Sequence, residues 1–185
     1  SVMEFIRDSL LEMPSSIAPL LVLDADALNA LAQTPKWWQR LGQDAILTPH
    51  PGEMARLSGL SVEDTGRERL EVAREHAALW QKTVVLKGAH TVIASPDGSA
   101  RISAIVNPGL ASAGTGDVLS GAIAGLLAQG LSYYDAATCG VYLHGLAGEM
   151  VRVELGDAGM VAGDLLPVLP RAIKKIKGRL KCYWP

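Results

Sequence analysis

The stretch Asn107-Pro-Gly-Leu-Ala-Ser-Ala-Gly-Thr-Gly-Asp-Val-Leu-Ser-Gly121 leads from a glycine-rich loop into a long apolar segment. Small residues let a backbone wrap closely around an anion, because glycine has no side chain and reaches positive φ. The free N–H groups at the start of the next helix then point at the anion, and the helix dipole favours its charge. The pattern predicts an anion hole at Gly114, Thr115 and Gly116, although tight packing of the loop would explain the glycines equally well.

Asp117 is the acidic residue of this stretch, and it falls where the helix is predicted to begin. A carboxylate beside a bound phosphate adds repulsion unless it takes part in the chemistry. One such task is to take the proton from a hydroxyl that is about to be phosphorylated. Asp117 is therefore our candidate catalytic base.

Short apolar runs alternate with helical patterns along the rest of the chain. Strands are predicted at 20–23, 45–47 and 83–86, and an antiparallel hairpin at 91–95 and 100–106 around a Pro-Asp-Gly turn. Helices are predicted at 1–13, 27–32, 53–57, 67–81, 132–155 and 164–177, with a further one after the glycine-rich loop. This alternation predicts an α/β fold, a mostly parallel sheet flanked by helices on both faces with the hairpin at one side.

Three further polar segments follow predicted strands, where ligands gather in sheets of this kind. Asp24 and Asp26 follow the first strand and suit Mg²⁺ bound through water, or Asp26 caps the next helix. His50 lies between two prolines, whose stiffness favours a ligand contact over a freely moving side chain. Lys87 ends the third strand, where it suits either a nucleotide phosphate or a plain ion pair at a turn.

Composition narrows the class of protein. A chain of 185 residues that is 49% hydrophobic is long enough for one domain with a sizeable core. The net charge of −2 does not favour nucleic-acid binding. Cys139 and Cys182 lack metal-type spacing, which favours a reducing cytoplasm, with Cys139 as a buried thiol. Polar residues and glycines interrupt the uncharged run at 118–134, which favours a buried helix over a membrane span.

Taken together, the segments resemble the ribokinase-like superfamily. Within it they are most similar to the ADP-dependent NAD(P)H-hydrate dehydratases, the carboxy-terminal domain of YjeF-type repair proteins. The motifs that carry the resemblance match in order and approximate spacing: Leu23-Asp-Ala-Asp-Ala-Leu-Asn29, Leu47-Thr-Pro-His-Pro-Gly-Glu53, Val85-Leu-Lys-Gly-Ala-His-Thr91 and Asn107 to Asp117. The Thr-Pro-His-Pro-Gly-Glu segment separates this branch from vitamin and sugar kinases.

The resemblance implies dehydration of the S epimer of hydrated NADH or NADPH, with ADP converted to AMP and phosphate and Mg²⁺ present. His50 and Asp117 would then contact the hydrated dinucleotide, with Asp117 as the base. The adenine nucleotide would be held by Lys87, Gly88, Ala89, His90, Thr91 and Gly116. The alternatives are a ribokinase-like kinase acting on a vitamin-precursor alcohol and an inactive nucleotide-binding fragment.

The resemblance also has consequences for chain organisation. Family members carry a further N-terminal segment with a strand pair, whereas this sequence opens on a helix. Residues 1–185 are therefore expected to form one ribokinase-like nucleotide-binding domain, the carboxy-terminal part of a larger domain. An apolar first helix without its own strand favours a homo-oligomer, and an epimerase domain in the same or another chain is an expected partner. No membrane partner is expected.

Overall fold

The computed structural model describes residues 1–14, 16–17, 19–156 and 158–180, with the backbone alone at 179 and 180. Its strands are β1 Leu21–Leu23, β2 Ala45–Leu47, β3 Thr83–Leu86, β4 Val92–Ala94 and β5 Ala100–Ile102. Its α-helices are α1 Val2–Leu11, α2 Asp26–Ala32, α3 Pro51–Ser58, α4 Val62–Arg67, α5 Arg69–Trp80, α6 Thr115–Leu127, α7 Tyr133–Leu155, α8 Ala162–Leu165 and α9 Leu169–Leu180. Short 3₁₀ turns lie at Trp37–Gln39 and Pro108–Ala111.

The described strands form one sheet in the order β1-β2-β3-β4-β5. The first three strands are parallel, and β4 and β5 continue the sheet antiparallel to their neighbours. Parallel neighbours bring the ends of β1, β2 and β3 to the same edge of the sheet. This edge carries the polar segments that follow each strand.

Alternate strand residues face opposite sides of the sheet. On β2, Ala45 and Leu47 pack with the first helices of the chain, whereas Ile46 packs against α6 and α7. On β3, Val84 packs on the same side as Leu47, and Val85 packs on the same side as Ile46. The sheet is therefore covered by helices on both faces, which confirms the predicted α/β class.

Several local predictions were wrong. The predicted last helix is divided into α8 and α9, and α4 was not predicted, whereas the helix predicted at 67–81 is confirmed as α5. Cys139 is exposed on α7 rather than buried, and Cys182 lies outside the described residues. In the first helix, Phe5 is 73% exposed although its spacing predicts an inward face.

No helix in the described parts of the chain is long and apolar enough to cross a lipid bilayer.

Helices α6 and α7 pack closely against each other, and the contact depends on a glycine. A Cβ atom at Gly140 would overlap Ile123 Cγ1 and lie 3.2 Å from Ile123 Cα. We expect Gly140→Ala to lower the free energy of unfolding by about 2 kcal/mol, because backbone atoms cannot move aside as a flexible side chain can. Denaturant unfolding followed by circular dichroism measures this change.

The matched control is Gly125→Ala on α6, where a Cβ atom would meet nothing within 4 Å. Alanine there should leave the stability unchanged or raise it by about 0.5 to 1 kcal/mol, because it restricts the unfolded chain. Equal stability of the two variants would contradict close packing at Gly140.

Candidate active site

A charged network joins the ends of the three parallel strands. Lys87 Nζ, after β3, lies 2.5 Å from Asp24 Oδ1, after β1. The second carboxylate oxygen of Asp24 accepts a 2.9 Å hydrogen bond from Ser120 Oγ on α6. The side chains of Lys87 and Asp24 are 20% and 13% exposed, so water screens the pair only in part. Lys87 thus forms the ion pair that was one of its two predicted roles, and it keeps two further N–H donors, so a contact with a nucleotide phosphate stays a prediction.

The segment after β2 adds a second acid and an imidazole. Glu53 is buried in the first turn of α3, and its Oε2 lies 3.9 Å from Lys87 Nζ. The same oxygen accepts a 2.8 Å hydrogen bond from His50 N. His50 Nδ1 accepts from Gly52 N and Glu53 N at 3.0 and 3.3 Å, so His50 is the N-cap of α3. Because Nδ1 accepts, the proton of a neutral ring lies on Nε2.

The start of the Lys87–Thr91 loop is held by Arg69, a residue that the sequence analysis missed. Arg69, at the start of α5, donates to Leu86 O at 2.8 Å and Lys87 O at 3.0 Å. Its guanidinium also lies against Gly88, where a Cβ atom would be 3.0 Å from the two terminal nitrogens and φ is +144°. Only glycine suits this approach. An arginine in a charged amphipathic helix gives no sequence signal for such a contact.

The glycine-rich loop presents free amide groups at the start of α6. Gly114 is the N-cap, with φ at +82°, and no side chain caps the helix. Among the described residues, the N–H groups of Gly116 and Asp117 have no hydrogen-bond acceptor. Thr115 differs, because its N–H donates to Ser112 O and its hydroxyl donates to Leu110 O and Ser112 O. Thr115 therefore holds the loop together, while the two amides that follow it are left without an acceptor at the N-terminus of α6, as an anion-binding site requires.

One cavity of about 620 Å³ unites most of the predicted nucleotide and substrate residues. The predicted site residues in its wall are His50, Lys87, Gly88, Ala89, Thr91, Thr115 and Gly116. A Cβ atom at Gly116 would lie 3.5 Å from Lys87 Nζ, so the lysine ammonium and the free amides border the same space. The Lys87–Asp24 ion pair, the N-cap residue His50 and the uncapped N-terminus of α6 are thus neighbours at one edge of the sheet.

Other predicted residues lie apart from this wall. Asp117 is exposed in the first turn of α6, and its carboxylate has no hydrogen bond to the described residues. His90 is exposed, with φ at +56°, and its Nδ1 lies 3.3 Å from Ser103 O. Gly114 does not line the cavity either, although it caps the helix that does.

The two aspartates that follow β1, Asp24 and Asp26, lie in different environments. Asp24 is held by Lys87, Ser120 and the N–H of Ala25, whereas Asp26 is exposed. Capping of α2 by Asp26 is wrong, because Ala25 is the N-cap and no side chain bonds there. In the parts of the chain that the structure describes, no group of three or more His, Cys, Asp and Glu side chains is placed to hold a metal ion. The Mg²⁺ site at Asp24 and Asp26 stays a prediction.

His144 also lines the cavity, from the middle of α7. It is 7% exposed, and its Nε2 lies 3.0 Å from Thr115 O. Burial lowers the pKa of the imidazole below its ordinary value of 6.5, against an opposite effect of the bond to Thr115. His144 is therefore a packed histidine that also borders the cavity.

Comparison with known proteins decides the family. A family model described as NAD(P)H-hydrate dehydratase matches residues 4–171 of the chain. This chain belongs to that family. The NAD(P)H-hydrate dehydratase match includes all four strand-end segments and the helices that carry the cavity.

Two relatives with assigned activities agree with the family. The chain is 49% identical over 156 residues to the bifunctional NAD(P)H-hydrate repair enzyme of Moorella thermoacetica, covering 84% of this chain and 29% of the relative. It is 44% identical over 150 residues to the ADP-dependent (S)-NAD(P)H-hydrate dehydratase of Neisseria meningitidis, covering 80% of this chain and 51% of the relative. The chain thus spans about a third to a half of these NAD(P)H-hydrate dehydratase relatives.

Solved structures agree as well. The chain is similar to the ADP/ATP-dependent NAD(P)H-hydrate dehydratase of Bacillus subtilis co-crystallised with ATP/Mg²⁺, with a TM-score of 0.79 and 38% identity. That match covers 89% of this chain and 58% of the other. A ribokinase-like superfamily protein of Enterococcus faecalis gives a TM-score of 0.76 and 28% identity, covering 94% of this chain and 58% of the other. The α/β sheet is therefore of the ribokinase-like type.

Proposed function

We propose that the protein containing this chain dehydrates the S epimer of hydrated NADH or NADPH and restores the usable cofactor, while ADP becomes AMP and phosphate. The observation that carries the proposal is the cavity in which the free amide of Gly116, at the start of α6, meets the Lys87 ammonium. Such an arrangement suits a transferring phosphoryl group. Membership of the family supports the choice of substrate.

The adenine nucleotide occupies the cavity between the Lys87–Thr91 loop and the start of α6. Lys87 contacts the phosphates with its two remaining N–H donors, because Asp24 uses only one of the three. Gly88 lets the backbone approach the nucleotide closely, and Ala89, His90 and Thr91 continue the loop. Negative charge develops on the phosphoryl oxygens during transfer. The Gly116 N–H and the positive end of the α6 dipole stabilise that charge.

The hydrated dinucleotide lies on the side of the cavity formed by His50, with its hydroxyl at Asp117. His50 donates from Nε2, because Nδ1 is already engaged as the cap of α3. Nε2 also lies 3.4 Å from Glu53 Oε1, which orients the ring. The histidine therefore acts as a hydrogen-bond donor that positions the substrate.

The reaction proceeds in two steps. Asp117 takes the proton of the substrate hydroxyl, whose oxygen bonds to the terminal phosphorus of ADP as the bond to AMP breaks. The new phosphate ester then loses phosphate through C–O cleavage, and a proton leaves the adjacent carbon. The electron pair of that C–H bond forms the ring double bond. Atoms balance, since hydrated cofactor and ADP become cofactor, AMP and phosphate.

Mg²⁺ fits this chain only as a partner of the nucleotide phosphates. The carboxylates of Asp24 and Glu53 face Lys87, and one or two carboxylates are the usual share of a protein in binding Mg²⁺ with phosphates. Asp24, with Asp26 more remotely, would hold the ion through water. When bound, the ion neutralises charge on the phosphates.

We further propose the setting in which this activity operates. Residues 1–185 belong to a nucleotide-binding domain that functions as a homo-oligomer in the cytoplasm. An epimerase domain in the same or another chain would supply the S epimer. The exposed apolar side chains of Val2 and Phe5 on α1 support a subunit contact.

The proposal is tested by incubating the whole protein with ADP and hydrated NADH of the S configuration. We expect NADH absorbance to return with one phosphate released per NADH formed, and ATP in place of ADP establishes the nucleotide preference. Parallel reactions contain ATP with hydroxymethylpyrimidine or a thiazole alcohol. Phosphorylation of those alcohols without recovery of NADH would identify a vitamin-precursor kinase instead and reject the dehydratase.

A further inference from the structure

Arg69 holds two successive carbonyl groups at the end of β3 with a single nitrogen. Its Nη2 donates to Leu86 O at 2.8 Å and to Lys87 O at 3.0 Å. Successive carbonyl groups of an extended strand point in opposite directions, so one nitrogen reaches both only where the chain turns out of the strand. The chain makes this turn at Gly88, whose φ is +144°. Arg69 therefore sets the direction in which the Lys87–Thr91 loop leaves the sheet.

The contact with Lys87 O also orients the next N–H group. The peptide between Lys87 and Gly88 is trans, so its N–H points opposite to its C=O. The N–H of Gly88 is therefore directed away from the Arg69 guanidinium, and it has no acceptor among the described residues. Gly88 lines the cavity, whereas Arg69 does not. An arginine behind the loop thus presents a backbone donor to the cavity in front of it.

The following peptide group is fixed by a residue of the loop itself. The hydroxyl of Thr91 donates to Gly88 O at 3.0 Å. By the same geometry the N–H of Ala89 points away from Thr91, and in the described part of the chain it has no acceptor either. Ala89 lines the cavity as Gly88 does. Two successive N–H groups are thus left for a ligand, the first oriented by Arg69 and the second by Thr91.

The guanidinium of Arg69 is a half-buried cation without a local counter-ion. Burial lowers its pKa, and no carboxylate among the described residues opposes this effect. Its Nε is buried and finds no acceptor in the residues that the structure describes. Arginine stays charged in proteins, and a buried charge without a partner costs free energy. An anion bound next to the loop would supply the missing negative charge.

We propose that Arg69 is a positioning residue for the adenine nucleotide, which directs the Gly88 N–H toward the nucleotide and adds positive charge behind the loop without contacting the ligand. The proposal rests on the proposed function, which puts the nucleotide between this loop and the start of α6. His50 and Asp117, the residues proposed to contact the hydrated dinucleotide, lie on other segments. A change at Arg69 should therefore weaken nucleotide binding and spare the other substrate.

The test applies isothermal titration with ADP and steady-state kinetics to the whole protein carrying Arg69→Met, which keeps an apolar stem and removes the donors. The Kd for ADP should rise about tenfold, the effect of losing one well-placed hydrogen bond. The KM for hydrated NADH should stay within about twofold of the wild-type value, because its contacts are untouched. A merely structural defect would raise both constants together.

Arg69→Lys tests whether the two carbonyl contacts carry the effect. A single nitrogen of Arg69 serves both carbonyl groups, and a lysine ammonium has three N–H donors with which to replace it. Its Kd for ADP should return to within about threefold of wild type, the remainder reflecting the shorter side chain. Thermal unfolding establishes that each variant is folded. If Arg69→Met does not fold, Arg69→Gln takes its place, because the glutamine amide is polar but too short to reach both carbonyl groups.

The matched control is Arg74→Met on the same helix. Arg74 Nε also donates to the backbone oxygen of a glycine with positive φ, Gly98 O, at 3.0 Å, but this glycine belongs to the hairpin turn. Neither Arg74 nor Gly98 lines the cavity. The Kd for ADP, the KM for hydrated NADH and kcat of this variant should match wild type.

The outcomes separate this proposal from the proposed function. Wild-type ADP affinity in Arg69→Met would overturn the positioning role. Equal rises in the Kd for ADP and the KM for hydrated NADH, or no recovery in Arg69→Lys, would overturn it as well. A wild-type protein that binds ADP without restoring NADH would reject the dehydratase, while the ADP titrations would still decide the role of Arg69. Absence of ADP binding by wild type would reject both.

Discussion

Replacing Asp117 with Asn is expected to lower kcat for dehydration of hydrated NADH by about a thousandfold, the middle of the range for removal of a general base. The amide has the shape of the carboxylate but cannot take the hydroxyl proton. ADP affinity should change little, because the N–H groups of Gly116 and residue 117 remain in place at the start of α6. Steady-state kinetics and ADP titration measure the two effects separately.

The control for Asp117→Asn is Asp44→Asn. Asp44 is also an exposed acid, but it precedes β2 and so lies at the opposite end of the parallel strands. Its replacement should leave kcat and ADP affinity as in wild type. If Asp117→Asn retained the full rate, Asp117 would have no part in the mechanism.

Replacing Lys87 with Met is expected to affect both nucleotide binding and stability. The dissociation constant for ADP should rise about 100-fold, because a cation that contacts phosphate is lost. The free energy of unfolding should fall by roughly 2 to 3 kcal/mol, since Asp24 and Glu53 are left as partly buried acids without the lysine. ADP titration and denaturant unfolding measure these changes.

The double variant Lys87→Met with Asp24→Asn separates the two effects. It should recover much of the lost stability, because the unpaired charge of Asp24 is removed together with its partner. ADP affinity should stay weak, since no cation returns. Recovery of affinity in the double variant would show that Lys87 serves the fold alone.

Much of the fold could be predicted because its signals are local. The apolar runs of β2 and β3 were predicted with the bounds that the structure has, and the Pro-Asp-Gly turn predicted the hairpin. The errors also have local causes. Helix α4 was not predicted, because its six residues are too few for a clear periodic pattern, and Glu68, with φ and ψ of −113° and 43°, separates it from α5. Phe5 has helical spacing, yet spacing alone cannot say whether a neighbour covers that face.

The candidate site was predicted as a set of segments but not as a network. The strand-end positions of Asp24, His50 and Lys87 follow from the alternation of strands and helices. The contacts of Ser120 with Asp24 and of Arg69 with Lys87 O do not, because they join residues far apart in the sequence. A serine within an apolar helix and an arginine in a charged helix are ordinary residues in those positions.

The glycine-rich stretch at 107–121 by itself determined a loop that leads into a helix with small residues at its start, since backbone conformation depends on neighbouring residue types. Tertiary structure decided which of its groups are free. Thr115 is held by Leu110, Ser112 and His144, whereas the amides of Gly116 and Asp117 are left without an acceptor, that of Gly116 beside Lys87. Hydrogen-bond partners depend on the packing of α6 against the sheet and α7, which brings together residues that the sequence keeps apart.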